Sequence, residues 1–275
     1  MKKLRVIVVL FSALILLSAC AHTAQTTANV SPSPVLDRIV KKGELVVGTA
    51  ASMPPLNMTT KEGEIIGFEI DIAAYMAEAM GVNLKVKAMP FSELLPALES
   101  GKVDMVMSGM TITGKRNLNV AFVGPYFTTG KAFLTKKETI AAAKEASEIN
   151  SPKTTLAALK GSTSQVFVEK AIPLAKVVLT SNYDEAVDMV LKDKVHAMVA
   201  DYPICAVSVM RHPDAGLLSI LTPLTYEAIG VAVPAGDPLL VNWVENFLRN
   251  LEGYGVLDAL RVSWLKSSFW LERLP

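Results

Sequence analysis

The chain has 275 residues, 51% of them hydrophobic, and its 27 basic side chains nearly balance 26 acidic ones. This length is sufficient for two lobes of ordinary domain size. The sequence contains no basic tract and no long run of one charge, which argues against a nucleic-acid partner and against a charged interaction tail. Its two cysteines are Cys20 and Cys205; if Cys20 is acylated, Cys205 has no partner for an intramolecular disulfide, and the fold must then depend on its hydrophobic core.

The first 20 residues have the parts of a secretory signal. Lys2, Lys3 and Arg5 form a charged start, the apolar stretch Val6–Leu17 follows, and small residues precede Cys20. The apolar stretch is too short for a comfortable membrane span. Three of the basic residues lie in this leader, so the rest of the chain is close to neutral.

The sequence Leu17-Ser-Ala-Cys20 resembles the bacterial lipobox. That resemblance implies that Cys20 becomes the lipidated first residue of the mature protein; the alternative is an ordinary signal peptide cut nearby. Residues 21–35 consist mainly of Ala, Thr, Ser and Pro, a composition typical of a flexible tether. We therefore expect a signal peptide over 1–20, a tether over 21–35, and a membrane-anchored domain facing the periplasm or the outer surface.

Apolar runs and amphipathic stretches alternate along the remaining chain. The first set predicts strands at Glu44–Gly48, Asn83–Ala88 and Val103–Met107, with helices at Phe68–Met80 and about 92–100. The second set predicts strands at Leu156–Leu159, Val177–Leu179 and Ala197–Ala200, with helices at Thr163–Ala171 and Asn182–Lys192. Ser181 and Asp184 are spaced as a capping box for the last helix. Two such βα sets indicate two α/β lobes, each a mostly parallel sheet flanked by helices.

One segment combines several groups that could bind an anion. The predicted strand Val103–Met107 ends in small and hydroxyl residues, Ser108, Gly109 and Thr111. Thr113 suits a helix N-cap, and Arg116 follows it. Free backbone N–H groups and a guanidinium fork suit a carboxylate. The residues alone fit equally well a tight turn with an arginine facing water.

Two motifs in this chain resemble one protein family. The run Ser108-Gly-x-Thr-x-Thr, Arg116 and the following Phe-x-x-Pro-Tyr-Phe127 look like the solute-binding proteins of bacterial amino-acid ABC importers. Gly67–Ile72 is similar to a second signature of that family, and the resemblance extends over about residues 36–264. It implies a two-lobed periplasmic-binding-protein fold, an α-amino-acid ligand, an ABC permease as partner, a monomer and no cofactor or metal.

The resemblance also implies where the lobes divide. Lobe I would comprise residues 36–128 and 229–275, and lobe II residues 129–228. The chain would cross between them at Phe127–Lys131 and at Tyr226–Gly230. Gly130 and Gly230 could absorb rotation of the lobes at these crossings.

Family positions suggest the ligand-binding residues of this chain. Lobe I would bind the ligand carboxylate through Ser108, Gly109, Thr111 and Arg116, and lobe II would add donors from Ser162, Thr163 and Ser164. Asp201 would pair with the α-ammonium, or it could simply cap the helix that begins at Tyr202-Pro203. Phe91 would pack on the ligand side chain, or it could belong to the core.

Departures from the family pattern concern ligand specificity. An acid and an aromatic residue often follow the first strand, but here Ala50 and Met53 occupy those positions. The ligand would then have no acidic partner for a cationic side chain, and Met53 would form an adaptable wall. Glu69 could serve as a distal carboxylate or be structural. We therefore expect a neutral or moderately apolar amino acid, with a basic one as the alternative.

An enzyme remains the principal alternative function, because a few proteins similar to this family are cyclohexadienyl dehydratases that act on cyclic amino-acid precursors. The chain has no GxSxG, HExxH or P-loop motif, and His22, His196 and His212 lack metal-ligand spacing. A dehydratase would need a general acid, for which Glu69 is the candidate. A sensory module for a membrane partner is a third possibility. We expect a binding protein without enzymatic activity.

Overall fold

The structure is a computed structural model and describes residues 33–220 and 223–275. The predicted signal peptide, the lipidation site at Cys20 and most of the predicted tether lie outside these residues. Within them, the chain forms two α/β lobes, each built on one five-stranded sheet. The predicted two-lobed architecture is therefore confirmed.

Lobe I contains the first βα set. Its helices are α1 (Pro34–Lys42), α2 (Phe68–Met80) and α3 (Leu94–Glu99), and its first six strands are β1 (Glu44–Thr49), β2 (Ser52–Met53), β3 (Asn57–Thr59), β4 (Ile65–Ile66), β5 (Asn83–Ala88) and β6 (Met105–Val106). The predicted bounds of α2 and β5 are confirmed. Gly81 ends α2 with a left-handed φ of 66°, a conformation that glycine adopts without strain.

The chain then crosses into lobe II and returns. In order, the elements are β7 (Val120–Thr129), β8 (Lys131–Thr135), α4 (Glu138–Ala141), β9 (Thr155–Leu159), α5 (Thr163–Ala171), β10 (Lys176–Thr180), α6 (Tyr183–Leu191), β11 (Ala197–Asp201), α7 (Tyr202–Arg211), β12 (Leu218–Ser219), β13 (Glu227–Pro234), α8 (Pro238–Gly253) and α9 (Val256–Arg261). Among the described helices, none is both long enough and apolar enough to cross a membrane.

Both sheets are mixed but mostly parallel, as predicted, because four of the five strands in each sheet run in the same direction. The lobe I sheet has the order β5-β1-β6-β13-β7, and the lobe II sheet has the order β10-β9-β11-β8-β12. In each sheet one strand is reversed: β13 is antiparallel to both β6 and β7, and β8 is antiparallel to both β11 and β12. Each reversed strand directly follows a crossing between the lobes, without the intervening helix that joins parallel strands.

The two crossings lie side by side. Glu227 in β13 pairs with Thr129 in β7, directly before Gly130 leads into β8. A Cβ atom on Gly130 would lie 1.9 Å from the Thr225 carbonyl oxygen, so a larger residue cannot fit there. The structure thus explains Gly130 by close backbone packing, and its part in lobe rotation remains a prediction.

Residues 33–35 belong to the folded domain, which shortens the predicted tether. Ser33 is buried, and its hydroxyl donates to Asp237 Oδ1 at 2.6 Å. The Asp237 carboxylate also accepts from the backbone N–H groups of Val35 at 2.8 Å and Leu240 at 2.9 Å. This carboxylate therefore caps α8 and fixes the start of α1, so the tether can extend no further than residue 32.

Two local predictions were wrong in detail. Only Met105–Val106 of the predicted strand 103–107 is a regular strand, although the N–H groups of Asp104 and Met107 also donate to β1, to the carbonyl oxygens of Val46 at 2.8 Å and Gly48 at 3.1 Å. Helix α6 is capped by Asn182, whose side chain accepts from Glu185 N. The Glu185 carboxylate accepts the Ser181 N–H in return, one residue later than the predicted Ser181–Asp184 box.

Candidate functional site

The predicted loops of the two lobes meet at one cleft. Thr111 Oγ1 in lobe I lies 3.2 Å from Thr163 Oγ1 in lobe II. Arg116 Nη2 donates to the Gly161 carbonyl oxygen across the same cleft at 3.1 Å. The structure therefore brings Thr111, Arg116 and Thr163 together, as the sequence predicted.

Arg116 is held in place from both sides of its guanidinium. Its Nη1 donates to the Thr111 carbonyl oxygen at 2.8 Å, and its guanidinium carbon lies 5.6 Å from the centre of the Phe91 ring. Burial lowers the pKa of Arg116, while the nearby carboxylates of Glu227 and Asp201 act in the opposite direction. The guanidinium stays charged, and the buried Phe91 ring supports it by a cation–π contact.

Glu69 is a structural carboxylate, which corrects its proposed roles as distal ligand contact and as general acid. It is fully buried; Oε1 accepts from the Gly109 N–H at 2.7 Å and from the Tyr126 hydroxyl, and Oε2 accepts from Asn57 Nδ2 at 2.6 Å. Burial raises its pKa, against the effect of these three donors. Both oxygens are used inside lobe I.

The same contact changes the predicted role of Gly109. Its N–H is bonded to Glu69 and so is already used within the protein. Its φ is 56°, and a Cβ atom would lie 3.3 Å from Met53 Sδ. Gly109 therefore contributes a left-handed turn and space beside Met53 rather than a free donor.

Ser108 and Met53 lie beneath this turn. The Ser108 hydroxyl accepts from the Ala50 N–H at 2.8 Å and contacts Met53 Sδ at 3.7 Å. Both side chains are buried. They fix the loop that follows β1, so their first effect on a ligand is to shape the wall of the cleft.

The three hydroxyl groups of the lobe II loop, on Ser162, Thr163 and Ser164, differ in the hydrogen bonds they make within the protein. Ser162 caps α5: its hydroxyl accepts from Gln165 N at 3.2 Å and donates to the Leu159 carbonyl at 2.7 Å. Ser162 therefore acts as the cap of an ordinary strand-to-helix turn. Within the described part of the chain, the buried Ser164 hydroxyl makes no hydrogen bond. Thr163 donates to Glu227 Oε2 at 3.1 Å.

Asp201 is not a helix cap, although it precedes α7, because its side chain makes no capping hydrogen bond. Its Oδ1 instead accepts from Lys131 Nζ at 2.5 Å, and Lys131 also lies 3.5 Å from Glu227 Oε2. Burial raises the pKa of Asp201, whereas Lys131 and Arg116 lower it. Asp201 therefore faces the charged cleft, in a cluster with Lys131 and Glu227.

Lys131, Glu227 and Tyr183 were not predicted as site residues from the sequence. Lys131 pairs with Asp201 in the antiparallel register of β8 and β11, and a register between strands 70 residues apart is not visible in sequence. Tyr183 is buried beside the same cluster, and burial together with Asp201 raises its pKa well above the ordinary value. One signal was available: Lys131 and Glu227 each border an apolar strand at a predicted crossing.

The histidines that can be placed have no metal-binding arrangement. His196 Nδ1 accepts from the Thr155 N–H at 2.9 Å, which confirms its structural reading, and His22 lies outside the described residues. Within residues 33–220 and 223–275, no three His, Cys, Asp or Glu side chains lie together as metal ligands would.

Charged and hydroxyl groups of two α/β lobes thus meet at one junction, an arrangement that suits a two-lobed solute-binding protein. The model of the bacterial extracellular solute-binding proteins, family 3, matches residues 45–267. The chain therefore belongs to this family, whose members here include amino-acid-binding proteins of the periplasm.

Three relatives show the range of functions in the family. An arginine-binding periplasmic protein of Mannheimia haemolytica is 27% identical, covering 82% of this chain and 93% of that protein. The ABC transporter glutamine-binding protein GlnH of Bacillus subtilis is 29% identical, covering 92% and 93%. A cyclohexadienyl dehydratase of Pseudomonas aeruginosa is 24% identical, covering 96% of each chain.

A solved structure shows the same fold. The ancestral amino acid-binding protein AncCDT-1, described as a precursor of cyclohexadienyl dehydratase, superposes with a TM-score of 0.76 at 35% identity. The match covers 83% of this chain and 98% of that one. An amino acid-binding protein thus shares the architecture.

Proposed function

We propose that this protein captures one α-amino acid between its lobes and delivers it unchanged to the permease of an ABC importer. The observation that carries the proposal is a chain of contacts across the lobe boundary, from Arg116 and Thr111 through Thr163 and Glu227 to Lys131 and Asp201. A guanidinium can bind the α-carboxylate through two hydrogen bonds, and a carboxylate can accept the α-ammonium. The hydroxyl groups of Thr111 and Thr163 meet at the same lobe boundary and could exchange their present hydrogen bonds for bonds to the ligand.

The ligand is proposed to be enclosed by closure of the lobes. The group proposed to bind the carboxylate, Arg116, lies in lobe I and the group proposed to bind the ammonium, Asp201, lies in lobe II, so binding of a zwitterion favours the conformation in which the two lobes meet. Ala50 and Met53 supply no charge to this cleft, and Glu69 is used within lobe I. A neutral amino acid is therefore the first candidate, and a basic one the alternative that the arginine-binding relative supports.

The proposal can be tested on the purified full-length protein with a panel of all common amino acids. A true ligand at 100 times its dissociation constant should add about 2.7 kcal/mol to the free energy of unfolding. Small-angle scattering should show a smaller radius of gyration with this ligand, and mass spectrometry should recover the ligand unchanged. If no amino acid stabilises the protein, the proposed function is wrong.

Dehydratase activity is the second candidate, since the Pseudomonas enzyme is similar over nearly the whole chain. Glu227 is the carboxylate that such a reaction could use, because Glu69 does not face the cleft. Incubation with cyclic amino-acid precursors should show no product by mass spectrometry. Turnover that disappears in Glu227→Gln would establish the enzyme instead.

We further propose that Cys20 carries a lipid that anchors the protein to a membrane facing the periplasm or the outer surface. The lipobox-like sequence before Cys20 supports this proposal, and two or more acyl chains give stable attachment at about 0.8 kcal/mol per buried methylene. Cys20→Ser should move the protein from the membrane to the soluble fraction. Cys205→Ser is the matched control, because Cys205 is buried in lobe II and its loss should leave the protein on the membrane.

A further inference from the structure

Lys131 is an unusual residue for its position. Its side chain is only 1% exposed, and a buried ammonium is strongly unfavourable unless it is paired. Here it bridges two carboxylates, Asp201 at 2.5 Å and Glu227 at 3.5 Å. The acid proposed to receive the ligand amine therefore already has a cationic partner of its own.

The oxygens of Glu227 are also held within the protein. Oε1 accepts from Thr225 Oγ1 at 3.1 Å, and Oε2 accepts from Thr163 Oγ1 at 3.1 Å. Glu227 is 7% exposed. It is thus a fixed second carboxylate of the amine site, close enough to Asp201 to raise the pKa of that group.

The formal charges of these four groups balance. Lys131 and Arg116 contribute two positive charges, and Asp201 and Glu227 contribute two negative ones, while Glu69 is a separate carboxylate held by three donors inside lobe I. The main-chain groups of an amino acid add one charge of each sign and keep this balance. A basic side chain would add a positive charge that these four groups leave uncompensated.

We propose that Lys131 sets the selectivity of the cleft for the charge of the ligand side chain, because its ammonium group makes the cleft favour neutral amino acids over basic ones. The inference rests on the proposed function, since it concerns the same cleft. If the charge of a basic ligand side chain lies ~8 Å from the Lys131 ammonium, their repulsion at an effective dielectric constant of about 20 lowers the affinity for that ligand roughly 30-fold. Removal of the lysine charge should therefore favour arginine relative to glutamine.

The test is a calorimetric titration of the full-length protein with glutamine, arginine and glutamate. The wild type should bind glutamine more tightly than arginine, and Lys131→Met should raise the ratio of arginine to glutamine affinity by about tenfold or more. Lys131→Arg should keep the wild-type ratio. Lys136→Met is the matched control, because Lys136 pairs with Asp193 at the surface and its loss should leave the ratio unchanged.

Glu227→Gln tests the same inference in the opposite direction and does not depend on the folding of Lys131→Met. The cleft then carries one excess positive charge, so glutamate affinity should rise relative to glutamine and arginine affinity should fall further. A ratio that is the same in all variants would show that Lys131 only stabilises the fold, and a wild type that prefers arginine would also overturn the inference. A wild type that binds no amino acid would overturn the proposed function, and this inference with it.

Discussion

Arg116→Ala should give a folded protein whose affinity for its amino acid falls at least about a hundredfold. A carboxylate enclosed without its charged partner costs about 3–5 kcal/mol. The substitution also removes the hydrogen bond to Gly161 across the cleft. Titration calorimetry measures the affinity, and circular dichroism checks that the fold is retained.

Arg249→Ala is the matched control for this prediction. Arg249 is exposed on α8 and pairs with Glu245 one turn earlier, an ion pair worth less than about 1 kcal/mol. This variant should bind like the wild type. Arg116→Ala with an affinity within threefold of the wild type would place the ligand carboxylate elsewhere.

Asp201→Asn examines the other end of the ligand in the same experiment. It should weaken binding of amino acids more than binding of matched carboxylic acids that lack the amine. Equal losses for both ligand classes would mean that Asp201 acts only by holding Lys131 in place.

Glu69→Ala should lower the free energy of unfolding by about 3–5 kcal/mol, because it leaves three buried donors without an acceptor. These donors are Gly109 N, Asn57 Nδ2 and the Tyr126 hydroxyl. Urea denaturation at neutral pH measures the change. Stability close to the wild type, with altered ligand preference, would instead show that Glu69 contacts the ligand.

Two variants serve as controls for Glu69→Ala. Glu78→Ala removes an exposed carboxylate from the same helix and should change stability by less than about 0.5 kcal/mol. Glu69→Gln should lose less stability than Glu69→Ala, because Asn57 Oδ1 makes no hydrogen bond within the described residues. After rotation of the Asn57 amide, that oxygen could accept from the introduced amide.

Local signals in the sequence were sufficient to predict most of the helices and strands. Glycine at the end of α2 and regular apolar spacing gave its bounds, and the order of strands and helices gave two lobes. The length of β6 was overestimated because apolar content marks a buried segment and does not show where its regular pairing with β1 ends. The reversed strand in each sheet depends on pairing between distant segments, which apolar periodicity does not encode.

Only part of the site was predicted, because the rest of it also depends on pairing between distant segments. Arg116, Thr111 and Asp201 follow strands or turns whose direction could be inferred, and the structure places them at one cleft. The sequence around Glu69 does not show whether its carboxylate faces a ligand or accepts hydrogen bonds from backbone and side-chain donors of the protein. Lys131 was missed because its importance comes from the register of β8 with β11.

The position of the charged cluster has a mechanical consequence. Lys131 and Glu227 lie on the two segments that join the lobes, whereas the Arg116–Gly161 hydrogen bond joins the lobes through loops outside those segments. If the lobes rotate about these segments, as proposed, groups on the axis barely move and groups far from it travel furthest. The groups proposed to bind the ligand amine would then keep nearly the same arrangement in the open and closed conformations, so the amine could bind before the lobes close. Contacts made by Arg116 would form last and would determine how long the ligand stays bound.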